Sequence, residues 1–198
     1  MSDADRLAEW MLATPAAIGD ADPADLVAQV TEAVGGDVAD LWLLDYGAGI
    51  GRVASPLMAA GARLVLADPN PEYLELAPAQ ALKVQLGGAF REVLPLCHHA
   101  YSSNVFIHFT WRYAPQALAH MASAVARGGL VMVQMPIYDQ AAEGGGWIDV
   151  TTYTEGQVVG WAEAAGLEVL ELYRNPGAFD YSRVGPDHWR LQLLRRHP

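Results

Sequence analysis

The stretch Leu41-Trp42-Leu43-Leu44-Asp45-Tyr46-Gly47-Ala48-Gly49-Ile50-Gly51-Arg52 leaves this chain few ways to fold. It opens as an apolar run too short for a helix, breaks into glycines at alternate positions, and continues into the Ala-, Leu- and Met-rich segment Val53 to Ala60. That order reads as a strand, a tight glycine loop and a helix start. Glycine has no Cβ and the first N–H groups of a helix have no partner inside it, so a ligand can approach the backbone closely at such a junction. By construction this is a nucleotide-type binding loop.

The rest of the chain repeats the strand and helix alternation. A helix from about Arg52 to Ala60 ends at Gly61, and Arg63-Leu64-Val65-Leu66-Ala67-Asp68 forms a second strand. A short helix over Glu72 to Leu76 precedes a third strand, Leu82 to Leu86, closed by Gly87-Gly88, and a brief helix is expected over Ala89 to Leu96. The fourth strand and its exit loop fall between His98 and Phe109, with a start unusually polar for a buried parallel strand. Pro115 begins a helix striped by Leu118, Met121, Ala122 and Val125 and ended by Gly128-Gly129, and Leu130 to Met135 is the fifth strand. The glycine-rich loop from Pro136 to Val150 reads as a mobile rim or a lid. Thr154 caps a further helix with Val158, Trp161, Ala162 and Ala165 inward, and Leu167 to Tyr173 with Trp189 to Arg195 make a closing hairpin across the loop Asn175 to Asp187.

Two helices precede this core. Leu7, Trp10 and Met11 stand at helical spacing, and Asp22-Pro23 starts a second helix striped by Leu26, Val27, Val30 and Val34 that ends at Gly35-Gly36. Trp10 reads first as core packing and second as a residue over a ligand mouth. The pattern predicts an α/β fold: a Rossmann-like, doubly wound, seven-stranded and mostly parallel sheet with an antiparallel C-terminal hairpin strand and helices on both faces. One domain, 1–198, is expected, with N-terminal helices over 1–36 and the core over 41–198. Its 198 residues bury roughly 70% of the unfolded surface.

Composition narrows the partners. Twelve Lys and Arg against 23 Asp and Glu leave a formal net charge of −11, which disfavours nucleic acid. Arg190, Arg195 and Arg196 are the nearest approach to a basic cluster and read as residues flanking a strand. Cys97 is the only cysteine, the N-terminus is acidic where a secretory signal is basic, and no apolar run reaches the roughly 18 residues of a membrane span. A cytoplasmic protein is expected. His98-His99 sit side by side on a predicted strand, where neighbours point to opposite faces, and no helical metal-binding motif accompanies them, so no metal site is expected. No G-x-S-x-G or P-loop is present.

The glycine spacing separates two kinds of nucleotide. A dinucleotide fingerprint starting at Gly47 requires glycine at the position of Arg52. The observed D-x-G-x-G-x-G, carried by Asp45, Gly47, Gly49 and Gly51, resembles the first motif of class I S-adenosylmethionine (SAM) dependent methyltransferases. Further resemblances run along the chain: Asp68 at the end of the second strand, Val105-Phe106-Ile107-His108-Phe109 at the fourth, Ala126-Arg127-Gly128-Gly129 before the fifth, and Ala164-Ala165-Gly166-Leu167-Glu168-Val169 leading into the sixth.

The resemblance implies roles. Gly47, Ala48 and Gly49 pass the backbone against the methionine part of SAM, and Asp45 braces the loop or meets the amino group. Asp68, followed by Pro69, holds the ribose hydroxyls; a second reading has Asp68 capping the turn Pro69-Asn70-Pro71. Ser102 and Asn104 lie where the family approaches the amino group and the reacting methyl. Gly87-Gly88 stand where the family often has an acid, so adenine falls to backbone N–H groups and apolar packing. Methyl transfer from a sulfonium needs alignment more than acid or base. His108 is the candidate base for an acceptor that must lose a proton, or else a structural residue. Trp111 and Trp147 fall in rim loops and could line an apolar acceptor pocket.

The expected function is SAM-dependent methylation of a small or medium-sized organic acceptor, with S-adenosylhomocysteine as product. No N-P-P-Y or D-P-P-Y segment of the amino-methylating nucleic-acid enzymes follows the fourth strand. Two rivals remain: a SAM-binding sensor or partner-activating subunit without methyltransferase activity, and a nicotinamide-dependent oxidoreductase, which the glycine spacing disfavours.

Overall fold

The computed structural model describes residues 23–87, 96–138, 140–144, 151–174 and 189–197. The expectations for the helix at Leu7 to Met11, the cap at Asp22, the helix over 89–95, Trp147 and the loop 175–187 lie outside the described residues.

Buried apolar runs become the strands of one sheet. β1 (Trp42–Tyr46), β2 (Arg63–Asp68), β3 (Leu82–Gln85), β4 (His99–Ser102) and β5 (Leu130–Pro136) stand in the order β3-β2-β1-β4-β5, each parallel to its neighbour. In the middle of the sheet Leu44 lies opposite Val65 on one side and Ala100 on the other. Every residue of β5 is buried, as expected of a strand covered on both faces.

Among the described residues, helices cover both faces of the sheet. α1 (Pro23–Ala33), α2 (Ala54–Ala59) and α3 (Pro71–Leu76) lie on one face, where Val30, Leu57 and Leu74 join Leu43, Leu64, Leu66 and Tyr101 in one apolar cluster. α4 (Ala114–Ala124) and α5 (Glu155–Ala164) lie on the other, with Leu118, Met121, Val158 and Ala162 against Leu44, Val65, Ala100 and Val131. A single 3₁₀ turn, Phe106–His108, follows β4. Thr154 caps α5 as expected. Its hydroxyl accepts from the Gln157 N–H at 3.2 Å and its own N–H donates to Gln157 Oε1 at 2.9 Å, a reciprocal capping box.

The C-terminal pair refines the expected hairpin. β6 (Leu167–Arg174) and β7 (Trp189–Arg196) are antiparallel, but β7 is inserted between β5 and β6, antiparallel to both. β7 is thus the strand that runs against the rest, and β6 closes the edge.

The fourth strand corrects the sequence reading. It ends at Ser102, and Val105 to Phe109 are not part of it. Asn104 turns the backbone at φ +59°, a left-handed conformation that ends a strand, and Phe106 and Ile107 are then both buried although adjacent. Their apolarity serves packing under a turn, which a strand-like run of letters does not distinguish from sheet pairing.

The polar start of β4 also finds its reason. His98 Nδ1 accepts the Trp42 N–H at 2.9 Å and His99 Nδ1 accepts the Leu130 N–H at 3.1 Å. The two rings thus satisfy the first amides of β1 and β5, the strands flanking β4. Gly129 precedes Leu130, and any Cβ there would overlap the carbonyl oxygen of His98. That close approach is why glycine stands before β5.

Candidate functional site

The carboxyl ends of β1, β2, β4 and β5 meet at one rim, the side of a parallel sheet where ligands bind. β1 delivers Asp45 and the glycine loop there. Gly47 adopts φ +80°, Gly49 +54° and Gly51 +76°, so the alternate glycines are needed for the backbone path. Gly47 is constrained a second time, because a Cβ would overlap the Val105 side chain from the turn after β4.

The loop amides have partners within the protein. Gly47 N–H and Ala48 N–H both donate to Ala67 O, at 2.7 and 3.1 Å, Gly49 N–H donates to Asp68 Oδ2 at 2.9 Å, and Gly51 N–H donates to Ala48 O at 2.9 Å. Spent in this way, they do not form the inward nest that cradles a phosphate. α2 also begins two residues beyond Arg52, later than expected.

β1 and β2 bring two buried carboxyls to this rim. Asp45 is buried and takes a hydrogen bond from the Tyr101 hydroxyl at 2.8 Å. Burial pushes its pKa up to about 7, against the opposing pull of the Tyr101 hydrogen bond, and the charge of Asp68 adds to the rise. Asp68 is raised too, by burial, although the N–H groups of Asn70 and Gly49 favour its charged form. Its Oδ1 accepts Asn70 N–H at 2.9 Å. Asp68 therefore caps the turn after β2, the second of its two sequence readings, and also ties that turn to the glycine loop.

The remaining predicted residues occupy the same rim with different surroundings. Ser102 is buried and its hydroxyl donates to Tyr46 O at 2.8 Å, locking β4 to β1 beneath the loop. Asn104 is partly buried, and its N–H donates to Gln134 Oε1 at 3.2 Å. Pro69 is exposed and its carbonyl accepts Gln85 Nε2 at 3.1 Å. His108 is exposed at the end of the 3₁₀ turn, not at the end of a strand. Trp111 is partly buried: its N–H donates to Glu143 Oε1 at 2.7 Å and its indole to Thr152 O at 3.1 Å, which joins the turn after β4 to the segment after β5. Gly87 is exposed.

Three residues organise this rim that the sequence reading passed over. Gln134, buried in β5, receives both the Ser103 hydroxyl at 3.0 Å and the Asn104 amide. Tyr153 sends its buried hydroxyl to the carbonyls of Phe106 and Phe109, pinning the 3₁₀ turn. Tyr101 holds Asp45. A glutamine inside an otherwise apolar strand was the available signal for the first; the other two looked like ordinary core aromatics.

Residues 44–133 match the family model described as a methyltransferase domain. Over these residues the chain is similar to a methyltransferase domain. The match takes in the glycine loop, both carboxyls and β4, and ends within β5 at Val133. Compared by sequence with curated proteins, the chain has no match. Among solved structures, the methyltransferase fold recurs in magnesium protoporphyrin IX methyltransferase (ChlM) from Synechocystis PCC 6803 with bound SAM, at TM-score 0.68 and 14% identity over 99% of this chain and 98% of that one. It recurs in the 1,6-didemethyltoxoflavin-N1-methyltransferase of Burkholderia thailandensis with bound 1,6-didemethyltoxoflavin and S-adenosylhomocysteine, at TM-score 0.70 and 16% identity over 98% and 87%. The [4+2]-cyclase SpnF is similar at TM-score 0.68 and 16% identity over 88% and 81%. At these identities the likeness is one of fold.

Proposed function

We propose that this protein binds SAM at the glycine loop and transfers its methyl group to a small or medium-sized organic acceptor. One observation carries the reading: a glycine loop whose first amides are spent on Ala67 and Asp68 follows directly on the buried Asp45 and is tied to the buried Asp68. A pyrophosphate would meet negative charge there and no free cradle, whereas a ligand bearing an ammonium and a sulfonium meets complementary charge.

In this reading Gly47, Ala48 and Gly49 line the amino-acid end of the donor, Asp45 lies near its amino group, and Asp68 accepts from the ribose hydroxyls with the lone pairs left after Gly49 and Asn70. Pro69 follows at the ribose edge. Asn104 faces the donor from the turn after β4, and Ser102 supports that turn through Tyr46. SAM supplies an electrophilic methyl on a cationic sulfur, so the protein's task is alignment and exclusion of water. His108 serves as base for an acceptor that must lose a proton. The acceptor is bounded by the turn at Phe106–His108 and the segment after β5. The net charge of −11 supports a small molecule over nucleic acid, and no described helix is long and apolar enough to cross a membrane.

The [4+2]-cyclase among the similar structures has this fold with a chemistry other than methyl transfer, which favours a second reading in which the site here binds SAM without methylating. Calorimetric titration with SAM, S-adenosylhomocysteine and NADH tests the first step: the adenosyl ligands bind and NADH does not. Tight NADH binding without SAM binding overturns the proposal. Screening phenols, amines and carboxylates for methylation then separates enzyme from sensor.

A further inference from the structure

Asp45 and Tyr101 are an unusual pair for the place they occupy. They lie opposite one another in the register of β1 and β4, on the sheet face that otherwise carries Leu43, Leu64, Leu66 and Met132. Both are buried, and the Tyr101 hydroxyl reaches Asp45 Oδ2 at 2.8 Å. Among the described residues, the titratable groups acting on Asp45 are Tyr101 from β4 and Asp68 from β2, and neither brings positive charge. A buried carboxyl with one hydroxyl donor and a second carboxyl nearby is poorly matched to its own ionisation. It is well matched to a cation arriving from outside.

We propose that Tyr101 is a positioning residue of the donor site: by donating to Asp45 Oδ2 it fixes this carboxyl beneath the glycine loop, oriented to meet the donor's ammonium group and charged when that group arrives. The inference rests on the SAM-binding reading above. Its consequence is a proton balance. Without ligand, the Asp45 carboxyl holds its proton in neutral solution about as often as not, since its pKa lies at about 7. When the ammonium binds, the O–H bond of Asp45 breaks, the proton passes to the buffer, and the carboxylate pairs with the cation. Tyr101 keeps its own proton throughout, because burial and the Asp45 charge push the phenol well above its ordinary range, so it remains a donor.

Two measurements test this. Carboxyl carbon NMR of the ligand-free protein follows the Asp45 titration directly. The midpoint should move up in Tyr101→Phe, which removes a donor favouring the charged form, and down when 3-fluorotyrosine, a stronger donor, replaces Tyr101. The fluorinated residue preserves the ring in the core and serves if Tyr101→Phe does not fold. An Asp45 midpoint unchanged by both overturns the proposal.

Calorimetry of SAM binding between pH 5.5 and 8.5, in buffers of different ionisation heat, follows the ligand side. Asp45→Asn is the reference that cancels the ligand's own amino titration. The wild-type protein should gain affinity over this reference by up to about tenfold per pH unit below the Asp45 midpoint, release a fraction of a proton on binding, and level off above it. Tyr101→Phe should level off at higher pH and at lower affinity than the wild type, because its carboxylate is no longer held in place. A difference independent of pH overturns the positioning role while leaving SAM binding intact; absence of SAM binding in every protein at every pH overturns the proposed function itself.

Discussion

Asp68 shows how much one side chain can be asked to do. Its two oxygens hold Gly49 N–H and Asn70 N–H, so the carboxyl fixes the glycine loop against the turn after β2 before any ligand arrives. Asp68→Ala should weaken SAM affinity at least about tenfold and also cost about 1 kcal/mol of stability, because two part-buried amides lose their acceptor. Calorimetry and denaturant unfolding on the same variant check both; unchanged affinity refutes the ribose role. Gly47 is held by geometry. An alanine at φ +80° costs about 1–2 kcal/mol by conformation alone. Overlap with Val105 adds to that, so Val105→Ala introduced into Gly47→Ala should recover the overlap and leave the conformational part. Asp68 and the glycines were legible in the sequence because spacing along the chain carries them. Val105 was not, since its contact with Gly47 is set by where the chain turns after β4.

At the scale of elements, β4 is the informative strand. It is four residues long, and its hold on the sheet includes the two histidine rings at its start as well as its ladder. Burial, with the charge of His98 beside it, pushes His99 down to about 4, so the folded protein keeps this ring neutral. Between pH 6.5 and about 4 the unfolded chain binds a proton that the folded one does not. The contribution of His99 is therefore complete above 6.5, falls as the pH drops through this window, and levels off below about 4. Urea midpoints measured across that range should decline on acidification, and His99→Gln should flatten the decline. The sequence flagged the polar start of β4 without explaining it. Histidines satisfying the first amides of neighbouring strands become visible once β1 and β5 are known to flank β4, and His98 and Trp42 are 56 residues apart in the chain.

At the scale of the whole molecule, one buried carboxyl shapes how stability depends on pH, and the proposed donor site uses the same group. Asp45 is raised to about 7, so its contribution to folding is complete below the unfolded value of 3.8 and is lost as the pH rises through 7. Asp45→Asn should consequently be more stable than the wild type above pH 7, equal to it below about pH 4, and weaker in SAM binding. Thermal unfolding across pH reads the first two outcomes, and a variant less stable than wild type at pH 8 refutes the account. What the sequence by itself determined is the α/β class, the parallel strands β1, β2, β3 and β5, the capped helix after Thr154 and the glycine loop with its two acids. These are local matters: a buried parallel strand is a continuous apolar run, a left-handed turn selects glycine, and a helix start selects a hydroxyl. Tertiary structure alone decided the short β4, the insertion of β7 between β5 and β6, the pairing of Tyr101 with Asp45, and Gln134 as the anchor of the turn after β4. Each depends on which distant segments become neighbours, because the free energy of a buried polar group is set by the partner it meets across the sheet and not by its place in the chain.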